Sequence, residues 1–280
     1  MRTDHSPSDR WRRWLAAVLL SACVAGFLAW REYQRRVRVD NLVWEVGLYG
    51  GEVYLAPTPL DQLQKWRSGT PVTWRSGAMV ALYDGTHLDT AWLQDHNYLE
   101  DLSIAFLVVD DEAVSEQDAL ILIDRHPLEV FYGFAQPNAD EVAAALAKKS
   151  QLHSVNLTDS ELTDAGFRKL PLERLVMLDV DNTDVTASAL GELHRCQKLQ
   201  FVSIDGEQLD ESVVATLAAL PSLECVTLKG AAVDDKNLQL IAALPNLPHL
   251  ELFDTDVSDS ASTALKQAMP DTFIQRLGPE

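Results

Sequence analysis

One apolar pattern recurs about every 24 residues over residues 100–268, and it leaves few folds open to the chain. Counting from Leu175, apolar residues fall at offsets 0, 3, 5, 10, 15 and 18: Leu175, Leu178, Val180, Val185, Leu190 and Leu193. The same slots then hold Leu199, Val202, Ile204, Leu209, Val214 and Leu217, and after them Leu223, Val226, Leu228, Val233, Leu238 and Ile241. A further copy runs from Leu247 to Leu265, with Ser262 in an apolar slot. Upstream, Leu152, Val155, Leu157, Leu162, Phe167 and Leu170 obey the rule at a spacing of 23. A weaker copy starts at Leu128, where Gly133 and Asn138 replace apolar residues; Ile104 opens another, and "VALYDGTHLDTAWL" (80–93) reads as a longer one. A period of 20–50 residues implies a stacked array, because one such unit cannot bury its own apolar face.

The offsets also say what each unit is. Offsets 3 and 5 differ by two, the side-chain period of a strand, and offsets 15 and 18 by three, one face of a helix. Each unit is therefore a strand, a turn and a helix. Offset 11 holds Ser115, Thr163, Thr186, Asp210, Asp234 or Ser258, all residue types that cap helix N-termini. Acids just after the cap, such as Asp164, Glu211, Asp235 and Asp259, complement the helix dipole. Pro221 and Pro245 follow the helices and stop them. The stretch "LDVDNTDVTASAL" (178–190) then reads as architecture rather than as a metal loop. A calcium loop needs Gly at its sixth position and Glu at its twelfth, and Leu190 occupies the twelfth. Asp179 and Asp181 are expected to alternate outward onto an exposed face, opposite buried Leu178 and Val180.

The run "LHSVNLTDSELTDAGFRKL" resembles a leucine-rich repeat of the L-x-x-V-x-L-x-x-T-x-V-T-D-x-x-L type. That subtype is similar to the repeats of membrane-anchored bacterial leucine-rich-repeat proteins and of the substrate-reading half of F-box proteins; no F-box is visible. The resemblance implies an α/β right-handed solenoid, with parallel strands on the concave side and helices on the convex side. "LYGGEVYLAP" (48–57) matches the strand that joins membrane helix to repeats in such bacterial proteins. The Asn of the commoner repeat is missing at offset 8, which carries Glu112, Ser160, Thr183, Glu207, Ala231 or Thr255. Turn bonding is thus expected to rest on hydroxyls and to be patchy.

Residues 14–30 carry no charge, and Arg flanks them on both sides. Seventeen helical residues reach about 26 Å, the short end of a bilayer's hydrocarbon core. Trp11, Trp14 and Trp30 fall where interfacial aromatics are expected. The organisation read from this is a cytoplasmic tail (1–13), a transmembrane helix (14–30), a juxtamembrane helix and N-terminal cap (31–77), leucine-rich repeats (78–268), and a C-terminal cap and tail (269–280) whose Phe273 and Ile274 close the last unit. The localisation expected is a single-pass membrane protein with its repeats outside the cytoplasm. Leu20-Ser21-Ala22-Cys23 also fits a lipoprotein cleavage box, so lipid anchoring at Cys23 is an alternative.

Charge bears on partners. Residues 1–38 hold eight Arg against Asp4, Asp9 and Glu32; of 23 Lys+Arg and 42 Asp+Glu in the chain, the rest keeps 15 and 39, a balance of −24. Such a body repels nucleic acid. Cys23, Cys196 and Cys225 form no disulfide framework and no C-x-x-C pair. No P-loop, G-x-G-x-x-G, H-E-x-x-H or G-x-S-x-G motif is present, and no cofactor, metal or catalytic residue is predicted. His194 and Cys196 supply two ligands at most, too few for a zinc site. The function expected is a non-enzymatic, membrane-tethered module that binds a protein or peptide on its strand face. The outward offsets 2, 4 and 6 give that face an apolar track (Phe106, Val130, Tyr132, Phe134, Met177, Phe201) and an acidic half (Asp179, Asp181, Asp205, His249, Glu251). The alternative is a structural or accessory subunit of a cell-envelope assembly.

Overall fold

The computed structural model describes residues 52–55, 78–82, 104–110, 114–230, 233, 235, 237–244 and 247–277. The tail, the apolar segment 14–30 and most of the region expected to form the N-terminal cap lie outside the described residues. Among those described, no helix is long and apolar enough to cross a membrane.

Among the described residues ten strands form one sheet in chain order: β1 (Glu52–Leu55), β2 (Ala78–Leu82), β3 (Ile104–Asp110), β4 (Val130–Phe134), β5 (Ser154–Asn156), β6 (Met177–Asp179), β7 (Phe201–Asp205), β8 (Cys225–Lys229), β9 (His249–Phe253) and β10 (Phe273–Leu277). β1 pairs antiparallel with β2, and every later pair is parallel. The helices alternate with these strands: α1 (Glu116–Arg125), α2 (Ala139–Leu146), α3 (Asp164–Phe167), α4 (Ala187–Leu190), α5 (Glu211–Ala218), α6 (Leu238–Ile241) and α7 (Asp259–Ala268). Nine consecutive parallel strands, each joined to the next by one crossing segment, make an α/β arrangement compatible with a solenoid.

The core follows the repeat. In the five strongest copies every slot is buried except Leu223, which is half-buried, and Leu178 and Val180 are fully enclosed. Ser262 is buried as well, so even the polar exception points inward. The weak copy at Leu128 has a steric explanation. A Cβ on Gly133 would stand 2.6 Å from the Phe131 ring, so the large ring at offset 3 fills the space vacated at offset 5.

Two regularities that the apolar pattern does not announce hold the units together. The first is the residue at offset 7, where the chain leaves the strand. Ala135, Asp159, Asn182 and Asp254 have φ between 50° and 59°, and Gly230 has φ 87°. Gly, Asn and Asp take up this left-handed conformation readily, whereas Ala135 does so at a cost of about 1–2 kcal/mol. The second is a fork between neighbouring units. Asp140 accepts from the N–H and hydroxyl of Thr163, at 2.9 and 2.7 Å. Asp164 does the same to Thr186 (2.8 and 2.9 Å), and Asp235 to Ser258 (both 2.9 Å). An acid in or just before the first turn of one helix thus holds the cap residue of the next unit. These acids do more than answer the helix dipole, and Thr186, its hydroxyl engaged by Asp164, makes no capping bond of its own. Ser115, Thr163, Asp210 and Ser258 do cap as expected, while Asp234 lies outside the described residues. The close approach requires Gly166, whose Cβ would come within 2.8 Å of the Asp140 backbone. Hydroxyls also serve the turns: Thr183 Oγ1 donates to the Val180 carbonyl at 2.7 Å, and Ser160 Oγ accepts from the Gln136 N–H at 2.9 Å.

Candidate functional site

The sheet face opposite the core carries three columns of side chains, set by register. The first runs Phe106, Val130, Ser154, Met177, Phe201, Cys225, His249, Phe273. The second runs Val108, Tyr132, Asn156, Asp179, Ser203, Thr227, Glu251, Gln275. The third includes Asp110 beside Phe134 and, further along, Asp205, Lys229, Phe253 and Leu277. Parallel in-register pairing places each column's members about 4.8 Å apart.

Exposure along these columns is uneven. Toward the N-terminal end the face closes on itself: Val130 is buried, Phe106, Tyr132, Phe134 and Met177 are half-buried, and Phe106 meets Tyr132 edge-to-face at 5.0 Å. The Tyr132 hydroxyl donates to the Met177 sulfur at 3.3 Å. Toward the C-terminal end the face opens. Phe201 is 43% exposed, Phe253 39%, Phe273 60% and Leu277 36%, and His249 is exposed beside them. Phe273 therefore corrects its expected role as an end cap. Ile274 turns inward, and Phe273 continues the outer column.

Asp179 and Asp181 are the second correction. They stand opposite the core side, as strand alternation requires, yet both are buried rather than exposed. Side chains of neighbouring strands cover them. Asn156 Nδ2 donates to Asp179 Oδ2 at 3.2 Å, and Asp181 Oδ1 accepts from Thr158 Oγ1 (3.0 Å), Ser203 Oγ (3.3 Å) and Lys229 Nζ (2.8 Å). Lys229 lies 3.7 Å from Asp179 as well, reaching back across β7 to do so. Burial, then the hydrogen bond and negative charge of Asp181, push the Asp179 carboxyl up to about 7. Burial would raise Asp181 too, but hydrogen bonds from Asp179 and Lys229 outweigh it and hold Asp181 below the usual carboxylate range. Below neutral pH the pair thus favours one shared proton and one charge, and Lys229 neutralises the charge. The apolar periodicity could not reveal this. The signal lay in spacing: Lys229 is 48 residues, two units, after Asp181.

Asp205 is half-buried and closes a capping box, its N–H donating to Gln208 Oε1 at 3.0 Å. Below it an acidic cleft of about 600 Å3 lies along the strand-to-helix turns, lined by Asp159, Asp184, Asp205 and Glu207 among others. Among the described residues no three His, Cys, Asp or Glu converge where they could hold a metal ion. Burial pushes the Cys196 thiol up to about 12, far from the thiolate that a nucleophile needs. His126 is buried at the end of α1, where burial, then Lys149 and Arg125, pull it down to about 4 and keep it neutral.

Comparison with known proteins finds no family model that matches the chain and no curated relative. The reading of the site rests on its geometry.

Proposed function

We propose that this chain is a membrane-tethered leucine-rich-repeat solenoid, right-handed with its strands concave, that binds a protein or peptide partner on its strand face and carries out no catalysis. The tether is the uncharged segment 14–30, and the acidic repeats lie outside the cytoplasm. One observation carries the binding reading. All four large apolar side chains left exposed among the described residues, Phe201, Phe253, Phe273 and Leu277, stand on the one sheet face that packs against nothing described. A grouped apolar patch ringed by polar residues is the ordinary mark of an interaction surface. The non-enzymatic reading is supported by the titrating groups themselves: the buried carboxylates are tied to one another and to Lys229, and Cys196 is protonated.

The reading predicts which surface a partner leaves when altered. In affinity capture with the full chain in detergent, Phe201→Ser should weaken retention of the principal bound protein at least tenfold. Gln239→Ala, at an exposed position of α6, should leave it unchanged. Loss with Gln239→Ala and retention with Phe201→Ser would move the contact to the helix side and favour an accessory subunit of an assembly.

A further inference from the structure

We infer that the open end of the strand face, on β8 to β10, takes a lysine or arginine side chain of the partner segment, seated on Glu251 between aromatic walls. The inference rests on the strand-face reading and names the chemistry of its ligand. Glu251 sits at the middle of β9 with His249 and Phe253 two residues to either side on the same face. On β10 the register sets Phe273 beside His249, Gln275 beside Glu251 and Leu277 beside Phe253. The rings of His249 and Phe273 meet edge-to-face, 5.7 Å between centroids, so one wall is already ordered. The carboxylate accepts one hydrogen bond among the described residues, from Thr227 Oγ1 at 3.0 Å, and no cation there lies within ion-pair distance.

Other acids of this part of the chain do hold cations. Asp181 has Lys229 at 2.8 Å, and Asp259 has Arg276 at 2.8 Å. Glu251, half-buried at the middle of the open face, has no counter-charge among the described residues, in a body whose balance is −24. The chain's own Lys229 Nζ already lies over the Phe253 ring, 5.9 Å from its centroid, so the His249 and Phe273 side is the wall left for a partner's cation. A carboxylate flanked by exposed aromatic faces binds a long basic side chain twice over: the head group meets the charge and the methylene stem covers the rings. An anionic or wholly apolar segment would leave Glu251 buried against nothing that compensates it.

The test is selection of random dodecapeptides on the full chain in detergent, followed by affinity measurement with synthetic copies of those enriched. Enriched peptides should carry Lys or Arg, and replacing the critical Arg by neutral citrulline should cost at least tenfold in affinity. Glu251→Gln and Phe273→Ala, both substitutions on the open face, should each cost a similar factor. Peptides that bind Glu251→Gln as well as the wild type, yet are lost with Phe201→Ser, would overturn the cation assignment and leave the strand-face reading standing. Peptides insensitive to all three variants, or no enrichment at all, would overturn both.

Discussion

Phe167→Ala is expected to lower the free energy of unfolding by about 3–5 kcal/mol. Phe167 has no exposed surface and fills offset 15 of its unit, on a helix of only four residues. So short a helix has no stability of its own and is held by packing alone. The surroundings cannot collapse into the void easily. Gly166 beside it already presses against the Asp140 backbone, and Asp164 at the start of the same helix grips Thr186 of the next unit. The measurement is urea unfolding, reading the shift in midpoint at constant slope. A loss below about 1 kcal/mol would mean that this slot is not a core slot.

Lys229→Met is expected to cost about 2–4 kcal/mol near pH 8, because it strands the buried charge of Asp181; the figure is set below the usual 3–5 because Lys229 is itself partly exposed. The cost should depend on pH, and the signs follow from the two carboxyls. Asp179, raised to about 7, keeps a proton that the unfolded chain has lost, so its contribution is present at acid pH and disappears as pH rises through neutrality. Asp181, held low by Lys229, contributes in the opposite sense: its stabilisation is present above the ordinary carboxylate range and is lost on acidification. Without Lys229 the second contribution goes, and Asp181 can escape its predicament only by taking a proton. The penalty should therefore shrink between pH 8 and pH 5. Adding Asp181→Asn should recover most of it, since the amide removes the stranded charge. A penalty that is flat with pH, or no recovery in the double variant, would show that the ion pair does not hold this part of the face.

Much of this molecule was legible because one constraint writes itself into many residues. A strand that buries offsets 3 and 5 in one unit must bury them in the next, so Leu178, Val202, Val226 and Leu250 report the same fact four times, and all four are buried. The short strand Glu52–Leu55 was legible only through the resemblance of "LYGGEVYLAP" to the strand that precedes such repeats. What the sequence concealed depends on single pairs of residues in different units. Asp140 with Thr163 looks, in one dimension, like two ordinary helix-start residues; stacking alone brings them into a fork. Asp179 and Asp181 were legible as outward but not as covered, because their burial comes from Asn156, Thr158, Ser203 and Lys229 in other units. Phe273 looked like a cap because it follows the last full unit, yet the ladder continues for one more strand and carries it outward.

The central claim is that consecutive units stack as parallel strands with the same offsets facing outward. Nitroxide pairs at offset 4 test it most directly in the full chain, since Asn156, Thr227 and Gln275 occupy one column. A label on Gln275 paired with one on Thr227, two strands away, should report a backbone separation of about 10 Å, and paired with one on Asn156, five strands away, about 24 Å. Separations that grow with the number of intervening strands agree with the account, whereas a Gln275–Asn156 separation as short as the Gln275–Thr227 one would contradict it.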